Sequence, residues 1–181
     1  MRNNNQPASS DVGNNGSTKQ QPIASAMGRK GETAMPHSLV KIWIHGVFGT
    51  KDRTSLINDN FEKELHSHII DRFEKELDCK VRIINGTEDH IHILFLLSPN
   101  FSVGDIFHSV KGESSHWINK SNFMKHKLAW QIGYGAFSVS ESQVKDLENY
   151  IRNQKVHHKK MSYADEIDLL IKKYGLQIIN G

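Results

Sequence analysis

Along Asp89-His90-Ile91-His92-Ile93-Leu94-Phe95 the side chains alternate across an extended backbone, which puts Ile91, Ile93 and Phe95 on one face and His90 and His92 on the other. An apolar face of this kind must be covered by helices or a second sheet, so the pattern restricts the fold at once. The opposite face carries two imidazoles about 7 Å apart along the strand, a spacing at which both rings can converge on one ion. Imidazole is a common ligand for zinc, manganese and iron. His-x-His also occurs wherever a half-exposed strand has polar residues at alternate positions, so the pair gains meaning only from its partners elsewhere.

The surrounding chain supplies the rest of such a layer. Leu39 to Thr50 is a β-branched and aromatic run that reads as a strand. Phe61, Leu65, Ile69, Phe73 and Leu77 recur every four residues and predict a helix leading into Cys79. Lys80 to Ile84 and His90 to Leu97 are two strands around Asn85-Gly86, a hairpin signal, with the loop running on through Thr87, Glu88 and Asp89. Ser102 with Asp105 is a capping box opening a helix with Val103, Ile106, Phe107, Val110 and Trp117 on one face. A short strand, Ala136 to Val139, follows a turn flanked by Gly133 and Gly135, and Ser140 with Gln143 forms a second capping box before a helix running to about His158. The order strand, helix, strand, strand, helix, strand, helix predicts an α+β, ferredoxin-like antiparallel sheet with helices packed on one face and a C-terminal tyrosine-bearing helix.

Residues 1–35 are rich in Asn, Gln, Ser, Gly and Ala and have no aromatic residue, so they are expected to form a disordered tail ahead of one folded domain over residues 36–181, with Met35 an alternative start. The lone Cys79 excludes an internal disulfide and points to a reducing cytoplasm; no apolar stretch is long enough for a membrane span. A formal charge of +3 decides little, but its distribution is uneven. Asp59 to Asp78 carries seven acids against three bases, His108 to Lys127 four lysines against Glu113 alone, and Gln143 to Lys160 five bases against two acids. A polarised molecule of this kind could follow a phosphate backbone, although solvated helix faces give the same pattern.

In the last predicted helix Tyr150 and Gln154 stand four apart, on one face beside the stripe Val144, Leu147 and Ile151. A tyrosine there fits a core-margin role. A phenol next to an amide oxygen able to ligate a metal also fits a metal-assisted nucleophile, because a phenol with a pKa near 10 needs help to attack phosphorus near neutral pH. The run Asp89 to Leu94, then Trp130-Gln131-Ile132-Gly133-Tyr134-Gly135-Ala136-Phe137-Ser138, then Tyr150-Ile151-Arg152-Asn153-Gln154 with His157-His158, closely resembles the single-tyrosine transposases of the smallest bacterial insertion sequences and their REP-associated relatives, members of the HUH endonucleases. The resemblance covers Leu39 to Gly175.

The resemblance implies that His90, His92 and Gln154 hold Mg²⁺ or Mn²⁺ and that Tyr150 is the nucleophile, forming a 5′-phosphotyrosine link and freeing a 3′-hydroxyl. It implies single-stranded DNA with hairpin ends as substrate, no external energy source, and a homodimer in which one subunit's tyrosine helix can complete the other's site. A domesticated relative, including a non-catalytic hairpin-binding protein, has the same motifs, and a small metal hydrolase using the two histidines alone is a third reading. Lys51, Arg53, Lys111 and Arg152 are candidate phosphate contacts. His45 could also meet DNA or be a polar edge position. Trp130, Tyr134 and Phe137 could stack on unpaired bases or anchor the core. His157 and His158 point apart on a helix and make a poor clamp.

Overall fold

A computed structural model describes residues 39–121, 123–124, 126–157 and 163–175, all within the unit Leu39–Gly181. The expected tail over residues 1–35 lies outside them, as do His158 and the side chain of His157.

Four strands, β1 (Trp43–Gly49), β2 (Lys80–Gly86), β3 (His90–Leu96) and β4 (Gly135–Val139), form one antiparallel sheet in the order β2-β3-β1-β4. Helix α1 (Glu62–Asp71) joins β1 to β2 and α2 (Val103–Lys120) joins β3 to β4, which is the ferredoxin-like arrangement expected. Helices α3 (Val144–Arg152), α4 (Gln154–His157) and α5 (Tyr163–Lys173) follow.

The two faces of the sheet divide as the alternation of β3 requires. Ile91, Ile93 and Phe95 join Ile44 and Phe48 of β1 in a buried cluster with Leu65 and Ile69 of α1 and Ile106, Phe107, Val110 and Ile118 of α2. Each fully buried side chain of this size contributes roughly 1.5–3 kcal/mol. Gly46 lets α2 approach this closely, since a Cβ there would stand 2.3 Å from Cζ of Phe107. The other face takes α3, through Leu94, Val139, Val144, Leu147 and Ile151, and α5, through Val47, Phe137 and Leu170. Helices thus lie on both faces, the tyrosine-bearing α3 is not the last of them, and α5 had no counterpart in the sequence reading.

Several local expectations change in detail. The four-residue spacing from Phe61 to Leu77 would drift by roughly 40° per step on an α-helix. A π turn at Arg72–Glu76, wider than an α turn, offsets the drift, and all five residues are buried. Asn85 and Gly86 are not the hairpin turn: they finish β2, paired with His92 and Ile91, and the loop is Thr87 to Asp89. Gly86 is required there because a Cβ would lie 2.1 Å from the carbonyl oxygen of His90. A register shift between Val81 and Ile83 turns Ile83 toward α3 while Val81 and Ile84 face the first cluster. Ser102 caps α2 as expected, accepting from Asp105 N at 3.1 Å. Ser140 makes no side-chain cap and opens only a 3-10 turn, Glu141–Gln143; the helix predicted to run to His158 is broken at Asn153.

Candidate metal and tyrosine site

His90 and His92 project from β3 toward α3 and α5 and are fully buried. Tyr150 and Gln154 reach the same place from α3 and α4, with Gln154 also fully buried. The ring of Tyr150 stands edge-on to His92, centroids 6.1 Å apart. The three predicted metal ligands are therefore buried, with the partly buried Tyr150, the predicted nucleophile, beside them.

The fifth member was missed in the sequence. Glu166 of α5 is buried, and its carboxylate closes the cluster. Oε1 accepts from the Tyr150 hydroxyl and, at 3.0 Å, from Nε2 of Gln154; it lies 3.3 Å from Nε2 of His92, while Oε2 lies 3.5 Å from Nε2 of His90. One ligand atom each from His90, His92 and Glu166 can be chosen so that all lie within 4.8 Å of one another. Burial alone would raise the Glu166 pKa, but the hydrogen bonds to His90 and His92 outweigh it and hold the carboxyl well below the usual range. Tyr150 is pushed above the usual phenol range by burial and then by its bond to Glu166. The signal for Glu166 was available: Tyr163, Ile167 and Leu170 form a helical stripe, and an acid three residues after Tyr163 sits on its edge.

Each imidazole is oriented from behind by a different group. Nδ1 of His90 is 2.7 Å from Oδ1 of Asp89 and 2.7 Å from Oγ1 of Thr87, which directs Nε2 toward Glu166. Burial opposes ionisation of Asp89, but the bonds from His90 and Thr87 and the charge of Arg53 bring its pKa down to about 2. Nδ1 of His92 instead meets Nε2 of His45 at 3.0 Å. His45 is neither at an edge nor at the surface: β1 is an interior strand and the ring is fully buried, held below the usual histidine range first by burial and then by His92.

The donor set fits a divalent cation. Two imidazoles and a carboxylate are nitrogen and oxygen ligands of the kind Mn²⁺ and similar ions take. Oε1 of Gln154 is buried with no hydrogen-bond partner among the described residues, as expected of an oxygen kept for an ion.

The candidate phosphate contacts are dispersed. Arg53, at φ 57° next to Asp52 at φ 55°, folds back to Asp89 at 2.5 Å and lies over the ring of Tyr163 at 3.3 Å, so it braces the site rather than extending from it. Lys111 donates to the carbonyls of Ile132 and Gly133 at 3.0 and 2.8 Å, and burial lowers its pKa. Arg152 pairs with Glu148 at 2.7 Å on the surface. Lys51 is exposed beside a cavity that His126 and Lys127 also line. Trp130 anchors the core, edge-on to Phe48 and donating to Ser114 at 3.0 Å. Tyr134 stacks on Phe107 with centroids 4.4 Å apart yet stays 40% exposed, and Phe137 stacks on Tyr174. Among the described residues no helix is long and apolar enough to cross a membrane.

A comparison with curated proteins finds no match. Among solved structures, the chain is similar to a candidate transposase from Deinococcus radiodurans R1, at 20% identity and a TM-score of 0.53, over 68% of this chain and 98% of that one. It is also similar to a REP-associated tyrosine transposase bound to a REP hairpin, at 13% identity and a TM-score of 0.49, over 71% of this chain and 74% of that one. The first of these supports the fold. The family profile described as "Transposase IS200 like" matches residues 38–154, which takes in the sheet, both imidazoles, Tyr150 and Gln154, and the chain belongs to that transposase family.

Proposed function

We propose that the protein is a metal-dependent transposase that cleaves and rejoins single-stranded DNA at hairpin-flanked ends through a 5′-phosphotyrosine intermediate. The observation that carries this reading is the convergence of the Tyr150 hydroxyl, the Gln154 amide and both histidine Nε2 atoms on one carboxylate. His90 and His92 would hold the ion, with Gln154 and Glu166 supplying oxygen. Mg²⁺ or Mn²⁺, when bound, neutralises the scissile phosphate and stabilises the leaving oxygen. Asp89, Thr87 and Arg53 fix the direction of His90, and Glu166 holds the phenol hydrogen on the side from which it must leave. The Tyr150 phenol gives its proton to Glu166 as its oxygen forms a bond to phosphorus and the bond to the 3′ oxygen breaks, that oxygen taking up a proton to leave as a 3′-hydroxyl; the reverse attack by a 3′-hydroxyl rejoins the strand and returns the tyrosine.

Lys51, Lys111 and Arg152 are the proposed phosphate contacts, while Arg53 stays on Asp89 as a brace. The working form is a cytoplasmic homodimer. In the single chain Tyr150 meets its own His92.

The test is incubation with labelled hairpin-ended single-stranded DNA and Mg²⁺ or Mn²⁺. Wild type should give a denaturation-resistant adduct that a chelator prevents. Tyr150→Phe should keep hairpin binding and lose both cleavage and adduct, and His90→Ala or His92→Ala should lose cleavage. An adduct that survives Tyr150→Phe would move the nucleophile, Tyr163 being the nearest alternative through its ring contact with His90 at 4.9 Å. Binding with no adduct in wild type would favour a non-catalytic hairpin-binding protein, and cleavage with none a hydrolase.

A further inference from the structure

The two histidines of β3 are backed differently. Behind His90 stand a carboxylate and a hydroxyl, the usual orienting groups of a metal-bound imidazole. Behind His92 stands a second imidazole, His45, on the neighbouring strand β1 and stacked at 5.2 Å between centroids with an interplanar angle of 21°. The register of the sheet produces the contact: Val47 of β1 pairs with His92 and His45 with Leu94, so His45 and His92 are diagonal neighbours on one face.

A hydrogen bond between two ring nitrogens needs one N–H and one lone pair. If His92 ligates a cation through Nε2, that atom has given its lone pair to the ion, so the proton of the neutral ring must sit on Nδ1. The bond at 3.0 Å then has a single direction: Nδ1–H of His92 donates and Nε2 of His45 accepts. The proton of His45 in turn sits on its Nδ1, which is buried and has no hydrogen-bond partner among the described residues. The chain thus keeps a polar ring in a buried place beside Phe137, at 5.9 Å, leaving one of its nitrogens unsatisfied, where an apolar side chain would pack without that cost. The hydrogen bond to His92 is what the imidazole adds.

We propose that His45 is a positioning residue for the metal centre: by accepting from Nδ1 of His92 it sets the tautomer and ring orientation in which Nε2 of His92 can bind the cation. The proposal rests on the reading of His90 and His92 as metal ligands, and its test separates the two.

Mn²⁺ is titrated calorimetrically into the full chain as wild type, His92→Ala, His45→Phe and His45→Gln, with circular dichroism as a check on folding. His45→Phe keeps a flat ring but leaves the His92 N–H without an acceptor, and should weaken Mn²⁺ binding about 10–100-fold, the usual range for losing such a partner. His45→Gln returns an oxygen acceptor at a similar reach and should recover most of the affinity. Equal Mn²⁺ binding by wild type and His45→Phe would overturn this proposal while leaving the metal site in place; equal binding by wild type and His92→Ala, or none by wild type, would remove the metal reading and this proposal with it. Should His45→Phe fail to fold, the wild-type chain loaded with Zn²⁺, a diamagnetic probe, decides by the ring nitrogen shifts of His92: a protonated, hydrogen-bonded Nδ1 supports the assignment, and an unprotonated Nδ1 overturns it.

Discussion

His66 on α1 shows what burial does to an imidazole away from the candidate site. Its Nε2 is enclosed and has no hydrogen-bond partner among the described residues. Burial is the main cause that lowers its pKa to about 4; Glu62 works against the shift and Lys155 with it. The ring is therefore neutral in the folded chain well below the pH at which it would take up a proton unfolded, near 6.5. Its contribution to stability is full above pH 6.5 and is lost as pH falls toward 4, at up to about 1.4 kcal/mol per pH unit within that window. Urea unfolding at pH 7 and pH 5 should show a larger loss in wild type than in His66→Gln. Equal losses in the two proteins would mean that His66 titrates normally. Single residues were unevenly legible in the sequence. His90, His92, Tyr150 and Gln154 were found from spacing and motif, but the burial of His45 and His66 depends on which strand is interior and which helix face is covered, and neither is written in local sequence.

Among the elements, α3 carries the most consequence because it brings Tyr150 to the pocket. Its apolar stripe is narrow, Val144, Leu147 and Ile151, as the sequence indicated. Polar anchors fix its position. Nδ2 of Asn85 donates to the carbonyls of Ile151 at 2.9 Å and Arg152 at 3.0 Å, at the C-terminal end of the helix, where carbonyls lack partners within it. Arg82 holds Glu148 at 2.7 Å from the same strand. Asn85→Ala should cost about 1–3 kcal/mol, measured by chemical unfolding, and slow adduct formation more than it weakens hairpin binding, because the helix end that carries Tyr150 loses its tether. An unchanged rate would show that packing alone places the helix. Asn85-Gly86 also shows why local turn chemistry misled. The dipeptide fits a hairpin turn, yet its glycine is needed for a close approach to the His90 carbonyl and its asparagine for a helix cap, both of which are tertiary demands.

For the whole molecule the open question is which tyrosine serves which histidines. Anchored by Asn85, Arg82 and its stripe, α3 is held on its own chain, so each subunit of the proposed dimer should use its own Tyr150. Mixing His90→Ala with Tyr150→Phe under conditions of subunit exchange should then give no adduct. Adduct on the His90→Ala subunit would show instead that helices are exchanged between protomers. The order of the elements along the chain and the helix pair beneath the sheet were readable from periodicity, because α1, α2 and β3 each carry a regular apolar face. Helix α5 was not read although Tyr163, Ile167 and Leu170 form its stripe, and the value of Glu166 at the edge of that stripe appears only once the sheet has gathered the other groups. This late position sets a timetable. Chains are made from the N-terminus, and a domain folds as a unit. The imidazole pocket belongs to strands complete by Val139, the hydroxyl and amide arrive with α3 and α4, and the carboxylate comes last with α5. The order of the chain is thus the order in which the groups of the site are made, and the site is complete only when the last helix has been added to the unit that folds.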